Sequence, residues 1–209
     1  QSLRRGVALM RLLSTAIFRW RDAPPEHPVM LTSAFCIGSF GYFQRGPITE
    51  MCVYLQRMCA QKTPAGGAQK IEHEGQFCYV LSRPSGLSGT LIADSEYPQR
   101  VAFVVLKRFL DGFEKKFEGR ISMDAKDNCQ PFPELDAGLA KYQDPRAADK
   151  LAQVQGQVDE VTDIMQKNID QMLERGEKLD DLVDRSDLLS VQAKQLYKVT
   201  KKHNSKCCK

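Results

Sequence analysis

The sequence predicts an α+β domain followed by one long, thin helix, and three patterns carry that reading. Between residues 10 and 120, short runs rich in β-branched and aromatic residues are punctuated by Gly and Pro turns. Two stretches of helical period interrupt those runs. From Leu151 to His203, apolar residues recur at spacings of three and four with no proline between them. The order strands, helix, strands, helix describes an antiparallel sheet with helices packed on it.

The first strand is expected in MRLLSTAIFRW, with Met10 as the start and residues 1–9 as an extension. A signal peptide is the competing reading, because Arg4 and Arg5 precede GVALMRLLSTAIF, but Arg11 breaks its apolar run. VMLTSAF follows as a second strand across a turn containing Pro24, Pro25 and Pro28. PITEMCVYLQRMCAQ (47–61) is a helix with Pro47 at its first position. Its Ile48, Met51, Cys52, Leu55, Met58 and Cys59 share one face. TPAGGAQ (63–69) is a loop, and QKIEHEG, QFCYVLSR and SGTLIAD are short strands separated by turns at Gly75 and Pro84-Ser85-Gly86. A second helix is expected over 98–117, burying Val101, Val104, Val105, Phe109 and Phe113. Residues 120–133 read as a loop, PELDAGLAKY as a short helix, and QDPRAAD as a linker punctuated by Pro145.

The long pattern comprises Leu151, Val154, Val158, Val161, Met165, Asn168, Met172, Arg175, Leu179, Leu182, Ser186, Leu189, Ala193, Leu196, Thr200 and His203. As one helix it would span ~80 Å at ~1.5 Å per residue. Gly156 and Gly176 each weaken such a helix by ~1 kcal/mol. A stripe this thin cannot bury itself, so it requires partner helices and would otherwise be largely unfolded. Arg175 breaks the apolar rule at the eighth of the sixteen seam positions. Three readings compete: a guanidinium snorkelling to water, an interhelical ion pair, or a polar layer in which several amide oxygens accept its donors. The unbroken three-four alternation on both sides argues against local drift. A polar residue at one core position sets register and partner choice.

Composition bounds the function. Hydrophobic residues make up 42% of the 209 and charged residues 27%, as in a soluble domain with a real core. The net charge of +4 is too small to indicate nucleic acid, and no acidic residue follows Asp187 while Lys194, Lys198, Lys201, Lys202, Lys206 and Lys209 do. The seven cysteines form no C-x-x-C pair, which suits reduced thiols in the cytosol rather than a zinc site or a disulfide framework. His27, His73 and His203 lack metal-ligand spacing, GLSGT lacks the lysine of a phosphate loop, and no catalytic triad is proposed by spacing. No metal, no soluble cofactor and no enzymatic activity are expected. No run reaches the ~20 apolar residues of a membrane-spanning helix.

VQGQVDEVTDIMQKNIDQMLERGEKLDDLVDRSDLL resembles the R-SNARE motif, in which one arginine occupies the central layer of a four-helix membrane-fusion bundle. FGYFQRG, LIADSEYPQRVAFVVL and LAKYQDPRAAD are similar to the lipid-anchored longin-type R-SNAREs of the YKT-six type, so the likeness runs from about residue 10 to 208. The resemblance implies a profilin-like longin domain over 10–142, with a five-stranded antiparallel sheet and flanking helices. A linker (143–150), the coiled-coil motif (151–203) and a lipidated basic tail (204–209) would follow. It further implies three Q-SNARE helices as partners, each giving a glutamine to Arg175, and dependence on the SNARE-disassembly machinery. The protein would cycle between cytosol and the cytoplasmic face of Golgi, endosomal or vacuolar membranes, including ER–Golgi transport, and drive vesicle fusion.

Cys207 and Cys208 match the family's cysteine pair, the first palmitoylated and the second prenylated, though only Lys209 follows Cys208 where the prenylation box needs three residues. Two chains, or one chain with basic residues, give stable anchoring. A lipid of this kind must be shielded in cytosol, which implies a closed form with the coiled-coil segment wrapped on the longin domain. Phe40, Tyr42 and Phe43 are the candidates for the surface it covers. The rival reading is a longin-type trafficking adaptor or tether whose coiled coil assembles complexes without fusing membranes; such a seam gains nothing from a central arginine.

Overall fold

The strand β1 (Leu12–Arg19) is buried along almost its whole length, because it lies in the middle of the sheet with helices over both faces. It pairs antiparallel with β2 (Val29–Phe35) on one side and with β5 (Leu87–Asp94) on the other. β5 pairs with β4 (Gln76–Ser82), and β4 with β3 (Ala68–His73) through the tight turn at Glu74-Gly75, both residues having positive φ. The five expected antiparallel strands are therefore present, in the order β2-β1-β5-β4-β3. The computed structural model describes residues 12–20, 27–118, 126–147 and 164–207, with side chains as far as Lys202. Met10 and residues 1–9 lie outside that set, as do Leu151, Val154, Val158 and Val161 of the seam.

A sixth strand departs from expectation. β6 (Ile164–Asn168) runs parallel to β3, with Ala68 opposite Ile164 and Glu72 opposite Asn168. The helical period of the C-terminal segment predicts one continuous helix, and the described residues do not form it. The reason is non-local: without β6, the outer edge of β3 would carry a row of unpaired backbone groups. After β6 come a short 3-10 turn (Ile169–Gln171) and two helices, α4 (Leu179–Arg185) and α5 (Val191–Cys207).

The first helix also starts earlier than its proline suggests. α1 spans Tyr42–Gln61 with Pro47 inside it. Gly41 and Gln44 satisfy each other at the start: the Gln44 amide donates to the Gly41 carbonyl at 2.9 Å, and the Gln44 side chain accepts from the Gly41 amide at 3.3 Å. Pro47 costs the Phe43 carbonyl its helical partner, a loss tolerable so near an exposed end. Arg45 holds the preceding loop by donating to the carbonyls of Phe40 and Gly38.

The two faces of the sheet have separate cores. On one, α2 (Gln99–Phe117) and α3 (Pro133–Lys141) bury Phe103, Leu106, Phe109, Leu110 and Phe113 with Leu12, Ile17, Tyr79 and Leu91. On the other, α1 and the C-terminal segment cover Leu13, Ile71, Cys78, Val80 and Ile92. The chain after α3 is tied to the centre of the sheet, since the Gln143 amide group both accepts from the Leu12 N–H at 3.0 Å and donates to the Leu12 carbonyl at 2.7 Å.

Where α2 crosses α3, Gly138 permits a contact no other residue could make. A Cβ there would lie 2.3 Å from a ring carbon of Phe109, which is itself buried. Gly138→Val should therefore destabilise the domain by about 1–3 kcal/mol through overpacking, visible as a lowered Tm in thermal unfolding. An unchanged Tm would mean the two helices slide apart at no cost.

Candidate functional site

The candidate site is the face of the molecule where residues 164–202 lie against β3 and α1. Its apolar floor is built by α1, β3 and β4: Met51, Cys52 and Cys59 from the helix, Ile71 and Cys78 from the sheet, with Phe40, Ile48, Tyr54, Leu55 and Met58 around them. The C-terminal segment lowers seven buried side chains onto this floor. Met172, Leu179, Leu189 and Ala193 belong to the predicted seam. Ile169, Val183 and Tyr197 do not.

These three follow a rule visible in the sequence but hidden beneath the stronger one. Residues 169, 183 and 197 are spaced by fourteen, two heptads each, and each directly follows a seam position. The two residues between them in that series are Gly176 and Ser190, and both are used in docking. Gly176 adopts a φ of +94° in the turn closed by the Glu177 N–H to the Glu174 carbonyl at 2.9 Å. The Ser190 N–H donates to the Glu50 carboxylate of α1 at 2.8 Å, so an acidic side chain from the N-terminal domain meets the start of α5. The domain is thus served by one stripe of its own, 169, 183 and 197, and by part of the seam, which is rotated from it by one residue.

Seam residues outside the shared set fare differently. Met165 is 43% exposed, Asn168 and Thr200 are exposed, and Leu182, Ser186 and Leu196 are half-buried. Arg175 is exposed in the Glu174–Glu177 turn. The turn ejects it because a guanidinium cannot enter the apolar floor without a partner. The side chains of His203 and Cys207, and the whole of Cys208, lie outside the described residues; the backbone of Cys207 closes α5.

Of the three aromatics expected under the segment, only Phe40 joins the floor. Tyr42 and Phe43 are 80% and 90% exposed and rest edge-to-face on each other, their ring centres 5.5 Å apart. Their placement corrects the expectation: they open α1 on its outward side, whereas the segment lies along the Ile48, Tyr54, Leu55 and Met58 side. Tyr54 is the aromatic that sequence reasoning missed. Burial, and then the Glu177 carboxylate, push its phenol above the ordinary value, with Arg185 opposing.

Polar contacts fasten α4 and α5 to each other. Asp180 accepts from the Tyr197 hydroxyl at 2.9 Å and from Lys201 at 2.6 Å, and hydrogen bonds from Lys201 and then Tyr197 hold its carboxyl below the usual range. Lys198 pairs with Asp184 at 2.8 Å, and Lys194 donates to the Asp184 carbonyl. Lys62, just beyond α1, reaches Glu174 at 3.6 Å. The Tyr197 ring lies nearly parallel to His73, at 13° with centres 6.2 Å apart. Burial lowers the His73 pKa below its ordinary 6.5, although Glu74, Asp170 and Asp180 oppose that shift and Lys201 adds to it.

Among the described residues, no cluster of His, Cys, Asp or Glu is placed to hold a metal ion, and no helix is long and apolar enough to cross a membrane. The arrangement is a recognition surface: a segment with two apolar stripes, the second of which lies on the floor together with four residues of the seam.

Comparison with known proteins gives the same outline. A family model described as Synaptobrevin matches residues 150–209, and one described as a regulated-SNARE-like (longin) domain matches residues 37–139. The Synaptobrevin homolog ykt6 of Schizosaccharomyces pombe is 41% identical over 95% of this chain and 98% of its own length. The VAMP-like protein YKT61 of Arabidopsis thaliana is 40% identical over 93% of this chain and 97% of its own. The Synaptobrevin homolog YKT6 of Saccharomyces cerevisiae is 35% identical over 95% and 98%.

His73 makes docking sensitive to pH. It is held neutral under Tyr197, so its contribution is complete above about pH 6.5 and is lost as pH falls from there through the lowered value. Hydrogen exchange of residues 191–202 should accelerate between pH 7 and pH 5 beyond the intrinsic trend, and His73→Phe should flatten that excess. An equal excess in the variant would remove His73 from the account.

Proposed function

This chain belongs to the synaptobrevin family as a longin-type R-SNARE of the Ykt6 type, and we propose that its C-terminal segment alternates between two exclusive partners. One is its own longin domain. The other is a set of three Q-SNARE helices, with which it forms a four-helix complex that drives fusion of intracellular vesicles with their targets. The observation that carries this reading is the double use of Met172, Leu179, Leu189 and Ala193, which are buried against the longin domain and also lie on the heptad seam. A side chain cannot fill both cores at once. Docking therefore withholds the seam from other helices, and assembly requires undocking first.

In the assembled state, residues 151–203 become one helix, and Arg175 enters the central layer, where three glutamine side chains accept from its planar donors. Its contribution there is register rather than strength, because a polar core position costs stability and excludes misaligned partners. Attachment to membrane comes from lipids on Cys207 and Cys208, a palmitoyl and a prenyl group, aided by the lysines from Lys194 onward. The protein then cycles between cytosol and the cytoplasmic face of Golgi, endosomal or vacuolar membranes, and the disassembly machinery returns it to the docked form.

Three outcomes test the scheme. Hydrogen exchange on the lone protein should show slow amides within 164–197; uniformly fast exchange there would end the docked model. Gly176→Ala should favour the helical state by about 2 kcal/mol, from ~1 kcal/mol of helix propensity and ~1 kcal/mol of left-handed strain. It should speed exchange of 179–185 and assembly with Q-SNARE helices, and unchanged rates of both would exclude Gly176 as a switch point. Mixed with cognate Q-SNARE helices, the protein should give a heat-resistant complex. Arg175→Leu should keep that association while losing discrimination among helix sets and register; full retention of selectivity would refute the central-layer role.

A further inference from the structure

On the face of the sheet opposite the docked segment, α2 and α3 enclose a groove of about 930 Å³ that the scheme above does not use. Gly112 of α2 and Ala137 of α3 lie exposed along it, while Gly138 is buried beneath the Phe109 ring. Phe132 and Tyr142 border it but belong to the core, at 5% and 2% exposed. The exposed backbone at Gly112 admits another chain closely.

The rim is basic, and its charges are not cancelled. Four cations line the groove, Arg108, Lys115, Lys116 and Lys141, against two carboxylates, Asp111 and Glu134. Both carboxylates are already engaged: Asp111 with Arg83, and Glu134 with Lys116 at 2.8 Å. Lys141 lies over the Tyr142 ring at 5.6 Å. Arg108 and Lys115 are exposed and have no ionic partner among the described residues. They stand seven residues apart on α2, two helical turns or ~10.5 Å, so they project along one side of the groove in line with its axis.

We propose that this groove is a docking site for an extended acidic segment of a partner protein, its carboxylates on Arg108 and Lys115 and its backbone over Gly112. Charge complementarity selects the acidic occupant. Concavity selects an extended chain over a bilayer, since a flat lipid surface meets the rim and cannot follow the groove inward. The groove is open whether or not the C-terminal segment is docked, so this contact recruits a partner to either state.

The test uses the full chain and a fluorescent blocked hexapeptide of four acidic residues, one leucine and one phenylalanine, beside a neutral version with Gln and Asn in place of the acids. The acidic peptide should bind, weaken about tenfold between 50 and 300 mM salt, and shift the amide resonances of Gly112 and Gly138. The double variant Arg108→Glu, Lys115→Glu should weaken it about tenfold or more with an unchanged Tm, while the neutral peptide binds poorly to both proteins. Equal binding of the two peptides, no binding of either, or resonance shifts confined to other faces would overturn the proposal. So would phosphatidylserine vesicles binding through the same two cations and displacing the peptide, which would make the groove a lipid-surface contact.

Discussion

An apolar stripe on a thin helix has nothing of its own to pack against, and Met172, Leu179, Leu189 and Ala193 are buried all the same. The isolated chain meets that need by folding the segment over the sheet face that α1 leaves half covered. The floor it fills is apolar in its own right, with Ile71, Cys78 and Ile92 beneath it. Two surfaces that would each be costly to expose are hidden by one contact. The strand β6, the turn at Arg175 and the hairpin of α4 on α5 are the geometry by which a helix-patterned sequence conforms to a floor that is not helix-shaped.

Much of the domain was legible in the sequence. The five antiparallel strands and α2 fall where alternation and helical period place them, because those patterns report contacts between near neighbours. The misses share a physical cause. Ile164–Asn168 pairs with β3 across about a hundred residues of chain, and nothing local signals a ladder whose partner is so distant. Pro47 reads as a helix start because proline is favoured there, whereas the Gly41–Gln44 exchange a turn earlier begins α1. Residue type alone points to Tyr42 and Phe43. Their exposure was decided by which side of α1 they occupy, and a position at a helix start does not reveal that.

The site was half legible. The seam and Arg175 follow from spacing, since heptads are a local regularity. The second stripe, 169, 183 and 197, has the same period but contains Gly176 and Ser190, so it reads as polar until the partner surface is known. Glu50 and His73 carried no signal at all, as their roles exist only across the docked interface, and Asp180 gains its role only when α4 folds on α5. This division is the expected one. A sequence displays what a segment does within itself, and conceals what it does against a surface assembled from elsewhere.

The parallel pairing of β6 on β3 carries one more consequence, for what undocking leaves behind. When the segment departs, the backbone of Ala68–His73 loses its neighbour and becomes an open sheet edge. Such edges recruit strands from other molecules, and only the charges of Lys70 and Glu72 defend this one. Opened chains brought close together would be prone to pair through their longin domains. The docked segment is thus also a guard against self-association, and a chain whose segment is engaged elsewhere must find other cover for its edge.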